Sequence, residues 1–140
     1  MAWLLDTNIL SELRKAKPDP KVVAFVSGTS VKELYVSSVT LAEIRFGIEK
    51  ATDPNDRVIL THWLTHTVRP MFTGRVLEVT EDIMLEWRLL VEEGRKINHT
   101  FSQPDLFIAA IALHHDLTIV TRNQKDFDKT RVPIFNPWDA

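Results

Sequence analysis

The sequence predicts an α/β domain with a mainly parallel central sheet and helices on both faces. Short apolar runs rich in β-branched residues alternate with helical patterns from one end to the other, which is the signature of strand-helix-strand units. One helical pattern, "QPDLFIAAIALHH", is apolar nearly all round, as a helix packed inside such a fold must be. The chain has 140 residues and no repeat, linker or low-complexity segment, so residues 1–140 are expected to form one domain.

The elements follow in order. "AWLLD" is a short apolar run closed by the turn-forming "DTN", and "ILSEL" continues with helical spacing. "KPDP" breaks the chain, and "KVVAFVSG" resumes as a short helix ending at Gly28. "LYVSSV" suits a strand. A long helix is expected from Thr40, with Thr40 as N-cap and Glu43 completing a capping box. Its Leu41, Ile44 and Ile48 share a stripe that Glu43 avoids, so Glu43 can face a cleft. "NDRVILTHWLTHTVRPMF" reads as an amphipathic helix ending near Pro70, and "RVLEVT" as a strand. "EDIMLEWRLLVEEGRKI" opens with acids and closes with bases, matching the helix dipole. In the buried helix Pro104 occupies the first turn, with Ser102 as a candidate N-cap. "LTIVT" is a strand, and the proline-bounded "VPIFNPW" holds a last short strand at a sheet edge.

Composition narrows the classes. Apolar residues make up 44% and charged residues 26%, near the averages for globular proteins, which excludes disordered and fibrous classes. At this size folding removes roughly two-thirds of the extended chain's surface from water, enough for a proper core. The net charge of -2 gives no general attraction for polyanions, so a nucleic-acid partner would need local basic patches or a bound cation. Cysteine is absent, which excludes disulfides, thiolate metal sites and cysteine nucleophiles, and the cytoplasm is the expected compartment. "AWLL" meets Asp6 after four residues and has no basic leader, so neither a signal peptide nor a membrane span is expected there.

In parallel sheets of this kind ligands bind at the carboxyl ends of the strands, and three acids fall there. Asp6 ends the first strand, Glu43 lies in the first turn of the helix after the second, and Asp105 opens the buried helix. Each has a local reading as well. Asp6 suits an Asx-turn or cap, Glu43 a capping box, and Asp105 a helix N-terminus. Against the local readings stands the cost of an unpaired carboxylate beside strongly apolar segments, which a shared cation would remove. If the three meet, their hard oxygen donors favour Mg²⁺, with Mn²⁺ as the alternative. Such a metal lowers the pKa of a bound water and stabilises charge on a leaving oxygen, which is nuclease chemistry. In "TRNQKDF", Asn123 and Asp126 are candidates for a fourth oxygen position or for orienting a metal water. An ordinary turn is the competing reading.

Other patterns carry less. His62 and His66 are spaced i, i+4 but lack the glutamate of HExxH metalloproteases, and His114 and His115 close a helix as dipole-compatible cations. No phosphate loop, dinucleotide fingerprint or G-x-S-x-G elbow occurs. Trp63 and Trp87 sit at core-like helical positions. Basic residues cluster in "RKAK", "GRKINH" and "TRNQK", where they suit phosphate contacts that carry affinity without sequence information. Arg45 suits a solvated helix face, with contact to a binding partner as the alternative.

Taken in order, "LLDTNILSE", "SSVTLAEIRFG", "QPDLFIAA", "TIVTRNQKDF" and "FNPW" resemble the PIN-domain ribonucleases, specifically the VapC and FitB type toxins of bacterial type II toxin-antitoxin pairs. The resemblance spans nearly the whole chain and implies a single PIN-like domain. It places Asp6, Glu43 and Asp105 in the family's acidic metal-binding triad. The fourth position, often acidic in the family, is Asn123 here, and Asp126 is a partial substitute. The resemblance further implies Mg²⁺-dependent endonucleolytic cleavage of RNA and a homodimer. It implies a cognate VapB/FitA-type antitoxin that covers the site with a basic side chain and binds operator DNA as the complex. Two other functions stay open. A haloacid-dehalogenase-like phosphatase would use Asp6 as nucleophile, although Asn8 stands where a second acid belongs, and a catalytically silent domain would only bind Mg²⁺.

Overall fold

The computed structural model describes residues 1–140 and contains five strands, β1 (Trp3–Leu5), β2 (Leu34–Ser37), β3 (Val76–Leu77), β4 (Thr118–Val120) and β5 (Ile134–Phe135). They form one sheet in the order β3-β2-β1-β4-β5. Every neighbouring pair is parallel, with Leu4 beside both Tyr35 and Ile119, Val36 beside Val76, and Val120 beside Phe135. The expected edge position of the last strand is met, and β3 forms the other edge.

Alternation along the strands divides the core in two. Leu4 and Ile119 point to one face, where α6 (Glu81–Lys96) and α7 (Gln103–His115) cover them with Ile83, Leu90, Leu106 and Ile111. Leu5, Val36 and Val120 point to the other. There α1 (Thr7–Leu13), α2 (Pro20–Ser27) and α3 (Ser38–Lys50) contribute Ile9, Val22 and Ile44. Helices on both faces are therefore observed. The two crossovers that step outward from β1 use one face, and the crossover returning to β4 uses the other. That reversal puts a topological switch point between β1 and β4.

Two helices depart from expectation. The helix holding Glu43 begins at Ser38 rather than after Thr40, because the Ser37 hydroxyl accepts from the Thr40 amide at 3.1 Å and is the N-cap. Thr40 is buried as the third helical residue, so the expected capping box does not form and Glu43 lies in the second turn. The segment ending near Pro70 runs as α4 (Pro54–Trp63), a π turn (Leu64–Val68) and α5 (Arg69–Met71). Pro70 has no amide to donate, and in a regular helix its ring would strike the carbonyl of His66. The wider π turn opens the helix at that point. Ser102 does occupy the N-cap position of α7, but its side chain makes no capping hydrogen bond.

Candidate active site

Asp6 follows β1 directly and sits at the switch point, only 5% exposed. Its backbone amide donates to the Val120 carbonyl at 3.0 Å, which ties it to the end of β4. One carboxylate oxygen caps α1 by accepting from the Thr7 amide at 2.8 Å. The other accepts from the Thr121 hydroxyl at 2.8 Å and from Asn8 Nδ2 at 3.2 Å. The local reading of Asp6 as a cap is thus correct, and it occupies only one of the two oxygens.

Glu43 reaches the same place from α3. Thr7 Oγ1 donates to Glu43 Oε1 at 3.1 Å, so Thr7 bridges the two acids, its amide on Asp6 and its hydroxyl on Glu43. Asp105 enters from the first turn of α7. All three line one open cleft of about 400 Å³, together with Asn8, Glu12, Lys15, Arg122, Asn123 and Trp138. Asn123 is therefore brought to the site, its amide donating to Thr121 Oγ1 at 3.0 Å. Asp126 stands one short turn further on, in an adjoining depression with Arg122 and Lys125.

Electrostatics binds these groups into one unit. Asp105 is pushed up to about 6, first by desolvation and then by the negative charges of Asp126, Asp6 and Glu43. Burial also raises Asp6, opposed mainly by the hydrogen bonds from Thr121 and Thr7, while the charge of Asp126 adds to the rise. Glu43 is raised by desolvation and the Asp6 charge, with the Thr7 hydroxyl opposing. Like charges held this way favour a cation among them. The donors are carboxylate oxygens with amide and hydroxyl oxygens beside them, and no imidazole lines the cleft, a set that suits Mg²⁺ or Mn²⁺. No three acidic or imidazole groups already close into a coordination cluster. The acids surround the space without collapsing into it.

Three residues of this network have no chemistry assigned from the sequence. Thr7 and Asn8 read only as part of a turn, and Thr121 as the end of a strand. Thr121 is fully buried, and its hydroxyl serves Asp6, Asn8 and Asn123 at once. A polar pair directly after a strand-ending acid, and a hydroxyl closing an apolar strand, were the available signals. Asn8 also explains itself against the phosphatase alternative. Its amide is a brace, donating to Asp6 and Thr121 while its oxygen accepts from the Arg122 amide at 3.2 Å, with no acid in that place.

The patterns set aside stay outside the cleft. His62 and His66 lie against each other on the α4–π turn, their rings tilted by 39° with centroids 4.3 Å apart, and Trp87 stacks on Phe107 at 4.9 Å. Arg45 is solvent-exposed.

A parallel five-stranded α/β domain with carboxylates gathered at its switch point defines an acidic-site class. The PIN domain family profile matches residues 3–133, and the chain belongs to that family. It is 34% identical over 136 residues to the VapC ribonuclease Y4jK of Sinorhizobium fredii, covering 97% of each chain. It is 31% identical to the toxin FitB of Neisseria gonorrhoeae, over 96% of this chain and 97% of that one. Among solved structures, FitAcB from Neisseria gonorrhoeae superposes with a TM-score of 0.91 at 30% identity, covering 99% of both chains. FitAB bound to an IR36 DNA fragment gives 0.89 at 29% identity over 97% of this chain and 95% of that one.

Proposed function

We propose that this chain is a metal-dependent endoribonuclease that acts as the toxin of a toxin-antitoxin pair. The observation that carries the reading is the meeting of Asp6, Glu43 and Asp105, from three distant segments, in one cleft of a PIN domain. Relatives named ribonuclease and toxin, similar over nearly the whole chain, support it.

Asp6, Glu43 and Asp105 would hold Mg²⁺, with Mn²⁺ as a substitute. When bound, the cation supplies an acidified water as nucleophile and stabilises charge on the leaving oxygen. The protein's own part is positioning. Thr121 and Asn8 fix the plane of the Asp6 carboxylate, and Thr7 sets Glu43 against it. Asn123 orients water or phosphate from the cleft wall, and Asp126 adds negative charge from behind. No helix is long and apolar enough to cross a membrane, and action on RNA in the cytoplasm fits the reading.

The partners belong to the same proposal. A VapB/FitA-type antitoxin covers the cleft with a basic side chain that takes the cation's place, and operator DNA is bound only by that complex. Relatives solved as FitAcB, and as FitAB bound to an IR36 DNA fragment, support this part. A homodimer completes it, and Met84, Leu85 and Leu89, exposed on α6, are apolar surface that a second copy would cover.

The test is cleavage of a pool of structured RNAs by antitoxin-free protein with Mg²⁺, with EDTA, and with Asp105→Asn. Discrete cuts that vanish in EDTA and in the variant are expected. Cuts that persist in both would overturn the metal-dependent assignment, and folded protein that cuts nothing would overturn the nuclease.

A further inference from the structure

We infer that Arg122, held over the Trp138 ring at the rim of the cleft, grips a phosphate of the RNA and positions the strand beside the carboxylates. The inference rests on the ribonuclease reading and adds the residue that brings a polyanion to an acidic site.

The need is electrostatic. Four carboxylates, those of Asp6, Glu12, Glu43 and Asp105, line the cleft of a chain whose net charge is already -2, so a phosphodiester meets repulsion at its entrance. Only two cations line it, Lys15 and Arg122. Lys15 is committed to a carboxylate, its Nζ lying 2.8 Å from Glu12 Oε1. Arg122 takes part in none of the salt bridges of the structure.

Arg122 is nevertheless fixed at both ends. Its amide donates to Asn8 Oδ1 at 3.2 Å, and Asn8 Nδ2 donates to Asp6 Oδ2 at 3.2 Å, so two hydrogen bonds connect this backbone to the candidate metal ligand. Its guanidinium carbon lies 5.1 Å from the centroid of the Trp138 ring. That ring is itself anchored. Asn136 Oδ1 accepts from the Trp138 amide at 2.9 Å, Lys21 Nζ donates to its carbonyl at 3.3 Å, and the indole packs against the core under α1 and α2.

The Trp138 contact consumes none of the guanidinium's N–H donors, and no carboxylate pairs with them. A cation–π contact is electrostatic attraction to the ring, whereas the planar fork of N–H donors matches two phosphate oxygens. A lysine at this position would be a point charge on a flexible stem with no flat face to hold. Trp138 therefore acts through Arg122 as a positioning residue, lowering the freedom the guanidinium would lose on binding.

The experiment measures binding of a labelled single-stranded RNA to full-length Asp105→Asn protein with Mg²⁺ across a salt series, beside wild-type cleavage. Adding Arg122→Ala should weaken binding about tenfold at low salt. It should also flatten the slope of log K against log salt by about 0.7, the loss of one phosphate contact on a single strand. A scan of neutral methylphosphonates along the RNA should reveal one position that weakens binding to the parent and not to the Arg122→Ala protein. Trp138→Leu should weaken binding with the slope kept, because the charge remains, and Trp138→Phe should restore most of the affinity. An unchanged slope and scan in Arg122→Ala, with wild-type cleavage present, overturns the assignment of Arg122 alone. Absence of both binding and wild-type cleavage overturns the ribonuclease reading along with it.

Discussion

Glu43 shows how a residue's neighbours decide its role. With Ser37 capping the helix, Glu43 has no capping duty, and Thr7 holds it toward Asp6. Glu43→Gln is therefore expected to lower cleavage with Mg²⁺ at least 100-fold while the protein still folds with one cooperative transition, as calorimetry beside an RNA cleavage assay would show. Thr121→Val removes a buried hydroxyl shared by three partners. A loss of about 1–3 kcal/mol in urea unfolding and a 10- to 100-fold fall in cleavage are expected. Asp105 yields a pH signature. Its carboxyl in the folded protein lies near 6, above the usual value of 3.8, so the folded state binds the extra proton and is favoured on the acid side. That contribution is lost as pH rises through about 6. In EDTA, Asp105→Asn should raise the melting temperature at pH 8, about half as much near pH 5, and little below the unfolded value of 3.8; an equal shift throughout would refute the account. The acids themselves were legible because a carboxylate beside an apolar strand demands a reason. The hydroxyl and amide that orient them were not, because Asn8 and Thr121 meet across 113 residues and each alone suits an ordinary turn or strand end.

At the scale of elements, boundaries follow local hydrogen bonding. Ser37, Ser38 and Thr40 are all acceptable N-caps, and sequence alone does not rank them. The hydrogen bonding does, since Ser37 stands at the strand end where the chain turns and its hydroxyl accepts from the Thr40 amide. By contrast the span of α6 was readable from acids in its first turn and bases in its last, although its cap, Thr80, reads as the end of the preceding strand. Its one internal peculiarity is Gly94. A β-carbon there would lie 2.8 Å from both the His99 carbonyl oxygen and Phe101 Cε2, so the loop returning toward α7 crosses the helix where only hydrogen fits. Gly94→Ala is expected to cost about 1–3 kcal/mol by denaturant unfolding despite alanine's higher helix propensity. A stabilised variant would show that the loop yields freely.

For the whole molecule, strand content and the two helical faces could be read from alternation and apolar patterning. The strand order could not, because nothing in a strand's own residues states which neighbour a later crossover will choose. The return of β4 to the far side of β1 creates the switch point and the site with it. The same arrangement links metal binding to global stability: a cation bound only by the folded cleft should raise the melting temperature by mass action, about 2.7 kcal/mol at a hundredfold excess over its dissociation constant. Asp105→Asn should abolish most of that gain. The outer strands carry a different consequence. β3 and β5 are two residues each, and Pro133 stands immediately before the second. So little unpaired backbone offers no template on which another chain can add a strand. Sheet-to-sheet aggregation is blocked at both borders, and any protein that binds this one must do so through side chains and helices rather than by lengthening its sheet.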